Sequence, residues 1–314
     1  MRPVFLSAIA AALLIVSVQA DPIESAAAHD GTIFALAFRG DGRQFATGGF
    51  DRQVKIWDAS GSPVATLAGH EVAVTAVAFS PDGQTLVSGD SDGGLLLWRP
   101  AATPQPRRLE GHPNCTYAIA FHPNGQTFFT CSQERRVKVW RAADGELLHT
   151  FGLFSSPLYA LAISPDGSQF ATAGRDGSIC VCDANTGSIV HELTGHSGEV
   201  FALAFTPDGR QLVSGSHDST IRFWDLESGR EKFRLSGHRD AIYQLSFANW
   251  GRRLISVGVS GQVVIWEVSS GSALFSHRLP GPAYCGGFAP GGESAIVGTG
   301  GGQWYKLAVP SLAK

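Results

Sequence analysis

Histidine, serine or threonine, and aspartate recur together along this chain at fixed offsets. In the stretch from Gly195 to Asp225 they are His196, Ser214 and Asp218, with Trp224 close behind. A hydroxyl, an imidazole and a carboxylate are the parts of a nucleophilic hydrolase site. A catalytic constellation of that kind is single. Here the set returns as His29, Thr47, Asp51 and Trp57, and again as His70, Ser88, Asp92 and Trp98. Recurrence assigns these residues to a repeated scaffold, and no catalytic residue is expected. The chain is read as noncatalytic.

The elements that carry them are short. Val200–Phe205, Gln211–Ser214 and Thr220–Trp224 alternate in polarity, which marks half-buried strands. Pro207-Asp208-Gly209 supplies the first turn, with Gly free to take positive φ. Ser216-His217-Asp218 supplies the next, and a fourth strand is expected over Glu231 to Leu235. The end of the first strand recurs at Phe38, Phe79, Phe121, Ile163, Phe205, Phe247 and Phe288, in steps of 41 or 42 residues. The end of the third recurs with the same steps at Trp57, Trp98, Trp140, Cys182, Trp224, Trp266 and Leu307. Two independent markers thus count seven copies.

A period of this length, with Gly-His early and Trp-Asp late, resembles the WD-repeat family over nearly the whole chain after residue 20. The resemblance implies an all-β fold: a seven-bladed β-propeller of four-stranded antiparallel blades. It also implies that the recurring polar residues form a buried relay. The carboxylate accepts from histidine, histidine engages the hydroxyl, and the hydroxyl accepts from the tryptophan indole. Losing one member strands a buried polar group, at ~1–3 kcal/mol. Copy three has His112, Thr130 and Trp140 with Glu134 in place of Asp, and copy six has His238, Ser256 and Trp266 with Ser260. Copy four keeps only Thr172 and Asp176, beside Phe154 and Cys182. Copy seven, with Leu279, Val297, Gly301 and Leu307, has lost the relay. Copies four and seven are expected to hold by apolar packing.

Residues 1–20 stand outside the repeat. Arg2 precedes an apolar run from Val4 to Val18, and Val18-Gln19-Ala20 offers a cleavage site. This reads as a secretory signal peptide. The run is short of the ~20 residues a membrane span needs. Residues 21–314 then form the propeller, in a periplasmic or secreted protein with no stable membrane insertion after cleavage. The remaining 294 residues are seven times 42, yet the last copy leaves little chain for a fourth strand. By resemblance, residues 22–28 are expected to pair onto the blade holding Trp304 and Tyr305, closing the ring and removing sheet edges.

Cleavage would leave 23 basic against 27 acidic side chains. So mild a balance argues against nonspecific nucleic-acid binding. Cys115, Cys131, Cys180, Cys182 and Cys285 are odd in number and irregular in spacing, so they form no disulfide framework. Cys180 and Cys182 share a strand face, but Cys182 takes the core tryptophan position. Packing is the better reading, and no metal and no cofactor is expected.

Candidate binding residues come from three further offsets. Five residues after each Gly-His position stand Phe34, Thr75, Tyr117, Tyr159, Phe201, Tyr243 and Tyr284. Six are aromatic, and four of the chain's five tyrosines are among them. Such rings give rigid, amphipathic contact area of the sort found at interface hot spots. Regular recurrence also fits rings wedged between blades, and both readings stay open. Three residues after Gly-His are Thr32, Ala73, Cys115, Pro157, Glu199, Ala241 and Pro282. Just before the relay acid are Phe50, Ser91, Gln133, Arg175, His217, Val259 and Gly300. The resemblance puts all three sets on the narrow face around the central channel. The expected partner-binding residues are Phe34, Phe50, Tyr117, Tyr159, Arg175, Glu199, Phe201, His217, Tyr243 and Tyr284. The sector of copies four and five leads, where Arg175 and His217 could hold an anionic group.

The function expected is a noncatalytic protein-interaction scaffold of the cell envelope, monomeric alone, with an unnamed protein partner. Two alternatives stand beside it. One is an accessory subunit of a periplasmic haem or quinone system. Its sequence support is Asp183-Ala184-Asn185-Thr186-Gly187, a turn resembling one in quinoprotein propellers. The other is glycan or small-ligand binding in the channel.

Overall fold

Strands of four to seven residues, most of them joined by Gly-bearing turns, cannot cover both faces of a sheet alone. They stack as blades. The structure, a computed structural model, describes residues 24–100, 103–152 and 154–309. It contains seven four-stranded antiparallel sheets. Blade one comprises Ile33–Phe38, Gln44–Gly49, Gln53–Asp58 and Pro63–Ala68, paired in chain order. Blades two to six repeat that order, and blade five runs from Val200 to Ser236. The leader read at residues 1–20 lies outside the described residues.

Blade seven takes only three strands from the C-terminal end: Ala283–Phe288, Ser294–Thr299 and Gln303–Ala308. Glu24–Ala27 supplies the fourth, antiparallel to Gln303–Ala308, with Glu24 opposite Lys306 and Ala27 opposite Gln303. The ring is therefore closed by its N-terminal strand, as the chain arithmetic implied. The Ala28 and His29 amides both donate to the Gly302 carbonyl, fastening the joint.

The core lies between blades rather than within one sheet. Trp98, Trp140, Trp224 and Trp266 are all within 2% of full burial. Each packs with residues of the neighbouring blade, as Trp98 does with Val54, Ile56 and Leu67. Burying such a side chain contributes roughly 1.5–3 kcal/mol.

The relay forms as expected in blades one, three and five. In blade five His196 Nδ1 donates to Asp218 at 2.8 Å. The Ser214 hydroxyl meets His196 Nε2 at 2.7 Å and accepts from Trp224 Nε1 at 2.8 Å. Glu134 replaces aspartate in blade three without loss, bonding His112 Nδ1 at 2.5 Å. Blade two requires a correction. His70 Nδ1 bonds Asp90 Oδ2 at 2.7 Å, whereas Asp92, expected in that role, is exposed. Asp90 reaches the imidazole because Gly94 leaves room: a Cβ there would lie 2.5 Å from Asp90 Oδ2.

Blade six keeps His238, Ser256 and Trp266 in line, but His238 Nδ1 is buried with no partner. Blades four and seven hold by apolar packing. Phe154 and Cys182 join one buried cluster, while Leu279, Val297 and Leu307 join another. All five cysteines are buried free thiols. Burial pushes Cys180 up to about 11 and Cys182 and Cys285 up to about 12, so these thiols stay protonated and unreactive.

Candidate functional site

The first strand of every blade is innermost, and the seven start at one face of the ring, called here the mouth. At each start the register with the second strand slips by one residue. In blade one Ile33 faces Gly49, and then Ala35 faces Gly48, so Phe34 has no cross-strand partner. The same β-bulge leaves Thr75, Tyr117, Tyr159, Phe201, Tyr243 and Tyr284 unpaired. These are the seven residues of the aromatic offset. A bulge bends its strand and re-aims the extra side chain. Here it turns a ring from each blade except the second toward the channel.

The six rings then touch one another. Around the mouth, Tyr117 to Tyr159 is 4.8 Å between centroids, Tyr159 to Phe201 5.4 Å, and Phe201 to Tyr243 4.5 Å. Tyr243 to Tyr284 is 5.4 Å and Tyr284 to Phe34 6.0 Å. Blade two interrupts the arc. There Thr75 Oγ1 donates to the Thr116 carbonyl at 2.6 Å, tying the gap to blade three.

The rings are neither free on the surface nor wedged inside the blades. They line a cavity of about 650 Å³ down the channel and are partly exposed, Tyr117 at 36%. Burial pushes the Tyr117 phenol up to about 12. Burial also raises Tyr159, opposed by Arg175 and aided by Glu199, and raises Tyr243 with help from Tyr284 and Glu199. The phenols therefore remain neutral donors at ordinary pH, with one cation and one anion beside them.

The other two offsets are joined in every blade by one backbone hydrogen bond. Phe50 N donates to Thr32 O, Ser91 to Ala73, Gln133 to Cys115 and Arg175 to Pro157. His217 donates to Glu199, Val259 to Ala241 and Gly300 to Pro282. The two sets thus sit side by side on the mouth face. Arg175 and His217 are exposed, and Glu199 is half-buried. Phe50 stands apart from the aromatic arc, 62% exposed, in an open groove between blades one and two. Asp30, Arg52, Lys55, Val72 and Ala73 line the groove with it, and of these all but Ala73 lie off the three offsets.

Among the described residues, no group of three or more His, Cys, Asp and Glu side chains is placed to hold a metal ion. No described helix is long and apolar enough to cross a membrane. The turn at Asp183–Gly187 has the hydrogen bonds of its counterpart at Asp225–Gly229. In both, the Gly amide donates to the Asp carbonyl at 2.9 Å, and the Asp Oδ1 accepts an amide from the turn at 2.8 Å.

A family model described as WD domain, G-beta repeat matches six segments: residues 21–58, 61–99, 104–141, 145–183, 187–225 and 229–267. The first three strands of the seventh blade, which has no relay, lie outside the matched segments. Each matched segment takes in the outermost strand of one blade and ends with the third strand of the next. No curated protein matches the chain.

Proposed function

The chain belongs to the WD40 repeat family, and on that premise we propose that it is a noncatalytic interaction scaffold whose mouth face receives a protein partner. The observation that supports this most is the bulged aromatic arc. Six of the seven β-bulges each place a ring around a cavity of about 650 Å³, with the charges of Arg175 and Glu199 near Tyr159. Aromatic anchors in a concave, partly dry setting with polar neighbours are what interface hot spots are made of. The first twenty residues support export through a cleaved leader, and with it a scaffold of the cell envelope.

The test is affinity capture from envelope extracts of the source cell, with the wild-type chain and a variant carrying Arg175→Ala, Glu199→Ala and His217→Ala. Arg175 and His217 are exposed and Glu199 is half-buried, so the variant should stay close to the wild-type melting temperature. A partner retained by wild type and lost by the variant agrees with the proposal. A partner held equally by both sinks the mouth face as the docking surface. Mass spectrometry of the exported chain checks the leader: the mature N-terminus should be Asp21.

The cavity also favours a second reading, a small planar or sugar ligand stacked on the rings. That reading gains if a saccharide panel raises the melting temperature while no protein is captured.

A further inference from the structure

The turns between first and second strands lie at the face opposite the mouth. All seven place glycine at positive φ: Gly42, Gly83, Gly125, Gly167, Gly209, Gly251 and Gly292. The turn of blade six, Asn249–Gly251, adds a second left-handed residue just before its glycine. Trp250 and Gly251 are both left-handed, with φ of 56° and 85°. Blade seven makes the same double step and fills it with Gly291 and Gly292. A bulky side chain in that conformation costs ~1–2 kcal/mol, and Gly or Asn would avoid most of it. Packing does not offset the cost, since Trp250 is 95% exposed. The other six tryptophans are all buried.

A second anomaly sits at the foot of the same hairpin. Arg253 pairs across it with Ala248 and is only 4% exposed, yet its Nε has no partner. Equivalent positions in the other blades hold Gln44, Thr85, Thr127, Gln169, Gln211 and Ser294, so the fold does not require a cation there. Burial lowers the affinity of this guanidinium for its proton, against an intrinsic value far above neutrality. The nearby acids are engaged elsewhere. Glu267, opposite Arg253 in register, accepts from Ser270 Oγ at 2.5 Å. Asp208, on the abutting blade-five turn, accepts from Thr206 Oγ1 and the Arg210 amide. Arg210 and Arg252 are exposed and leave the corner positive.

We propose that this corner of the far face is a second docking site, for a protein segment that presents a carboxylate beside an apolar side chain. The Arg253 guanidinium receives the carboxylate, in the two-pronged geometry that suits it. Trp250 covers the apolar neighbour, and Arg210 and Arg252 steer the acidic segment in. A strained, exposed tryptophan and a buried arginine whose Nε lacks a partner, on one hairpin, are both accounted for by one ligand. The site is independent of the mouth face, which lies roughly 20 Å away along the strand Ile242–Ala248.

Trp250 is the one exposed tryptophan of seven, so intrinsic fluorescence reports on it directly. The probe is the peptide acetyl-Gly-Glu-Leu-Glu-Gly-amide, titrated into the full chain at low salt. Its Gln-for-Glu counterpart and phosphatidylglycerol vesicles are run in parallel. The acidic peptide should shift the emission to the blue with saturation and shield Trp250 from acrylamide. By calorimetry, Arg253→Gln should weaken binding at least tenfold, as the loss of a charge-assisted hydrogen bond does. Trp250→Asn should weaken it as well, whereas Glu199→Gln on the mouth face should leave it unchanged. Arg253→Gln installs the residue that three other blades carry, so the variant folds. Absence of saturation, equal binding of the Gln peptide, or equal binding by Arg253→Gln overturns the proposal. So does capture by the vesicles without capture of the peptide.

Discussion

Phe201 and Tyr243 stack face to face across the boundary between blades five and six, with centroids 4.5 Å apart and planes inclined by 6°. Each is the unpaired residue of a β-bulge, so the contact joins two irregularities rather than two regular strands. Phe201 also meets Tyr159 at 5.4 Å. Aromatic pairs contribute ~0.5–1.5 kcal/mol each beyond area burial. Phe201→Ala should therefore destabilise the chain by roughly 1–3 kcal/mol in urea unfolding. A loss below about 0.5 kcal/mol would mean that the rings are neighbours without being coupled.

The blade-two relay gives a sharper contrast between two acids in one turn. Asp90 is buried, bonds His70, and accepts the Gly94 amide at 2.7 Å, whereas Asp92 is exposed. Asp90→Ala should cost ~1–3 kcal/mol, since it strands a buried imidazole nitrogen. Asp92→Ala should stay within about 0.5 kcal/mol of wild type, as surface substitutions do. Urea titrations of the two variants decide it, and the reverse order would restore Asp92 to the relay.

The repeat makes the fold legible in the sequence through its resemblance to the WD-repeat family. By that resemblance, seven copies, the short last copy and the spare residues before His29 imply a ring closed by its N-terminal strand. The relay is legible wherever a copy keeps the common spacing. Blade two breaks the rule because a carboxylate two residues earlier can reach the same nitrogen when Gly94 replaces a side chain. The paired glycines Gly93-Gly94 are the signal of that exchange. The aromatic offset is visible, but its state is not, because a bulge inserts a residue without changing the alternation on either side. Trp250 leaves no mark on the period, because a period is made of what recurs and Trp250 occurs in one turn only.

Ser260 stands where blades one, three and five have Asp51, Glu134 and Asp218, and His238 Nδ1 is left without a partner. Asp240 Oδ1 is also buried and unpartnered. Both atoms lie within 3 Å of where a Gly258 Cβ would be. In an Asp240→Asn background, which removes the competing carboxylate, Ser260→Asp should complete the relay. The gain should be ~1 kcal/mol in unfolding free energy. A loss of stability would show that Ser260 cannot place its side chain on the relay path.

The residue after the position held by Asp51 in blade one is left-handed in every blade. Blades two, four, six and seven use Gly93, Gly177, Gly261 and Gly302, but blades one, three and five use Arg52, Arg135 and Ser219 at φ of 66–69°. Non-glycine residues there cost ~1–2 kcal/mol, partly offset by the greater freedom glycine loses on folding. Arg135→Gly should thus raise stability by about 0.5–1 kcal/mol, read from the thermal midpoint. A drop would mean that the arginine makes a contribution its exposed position does not indicate.

Acid should weaken the ring in two stages. Burial lowers the His112 and His238 imidazoles to about 4, and lowers His29 and His196 too, despite the carboxylates that face three of them. A free histidine titrates near ~6.5, so between those values the unfolded chain binds more protons than the folded one. Stability is then full above about 6.5 and falls as the pH drops toward about 4. The loss is up to ~1.4 kcal/mol per pH unit for each such histidine. Asp218 follows in the second stage. Burial opposes its ionisation, but hydrogen bonds from Thr220 and His196 outweigh burial and hold it at about 2. Its contribution is present above about 3.8 and is lost as the pH falls toward 2. Urea unfolding at pH 7, 6 and 5 should show a steady decline. His238→Phe, which copies Phe154 of blade four, should remove up to ~1.4 kcal/mol per pH unit from that slope. Equal stability of the wild-type chain at pH 7 and pH 5 would show that these histidines are not held neutral by the fold.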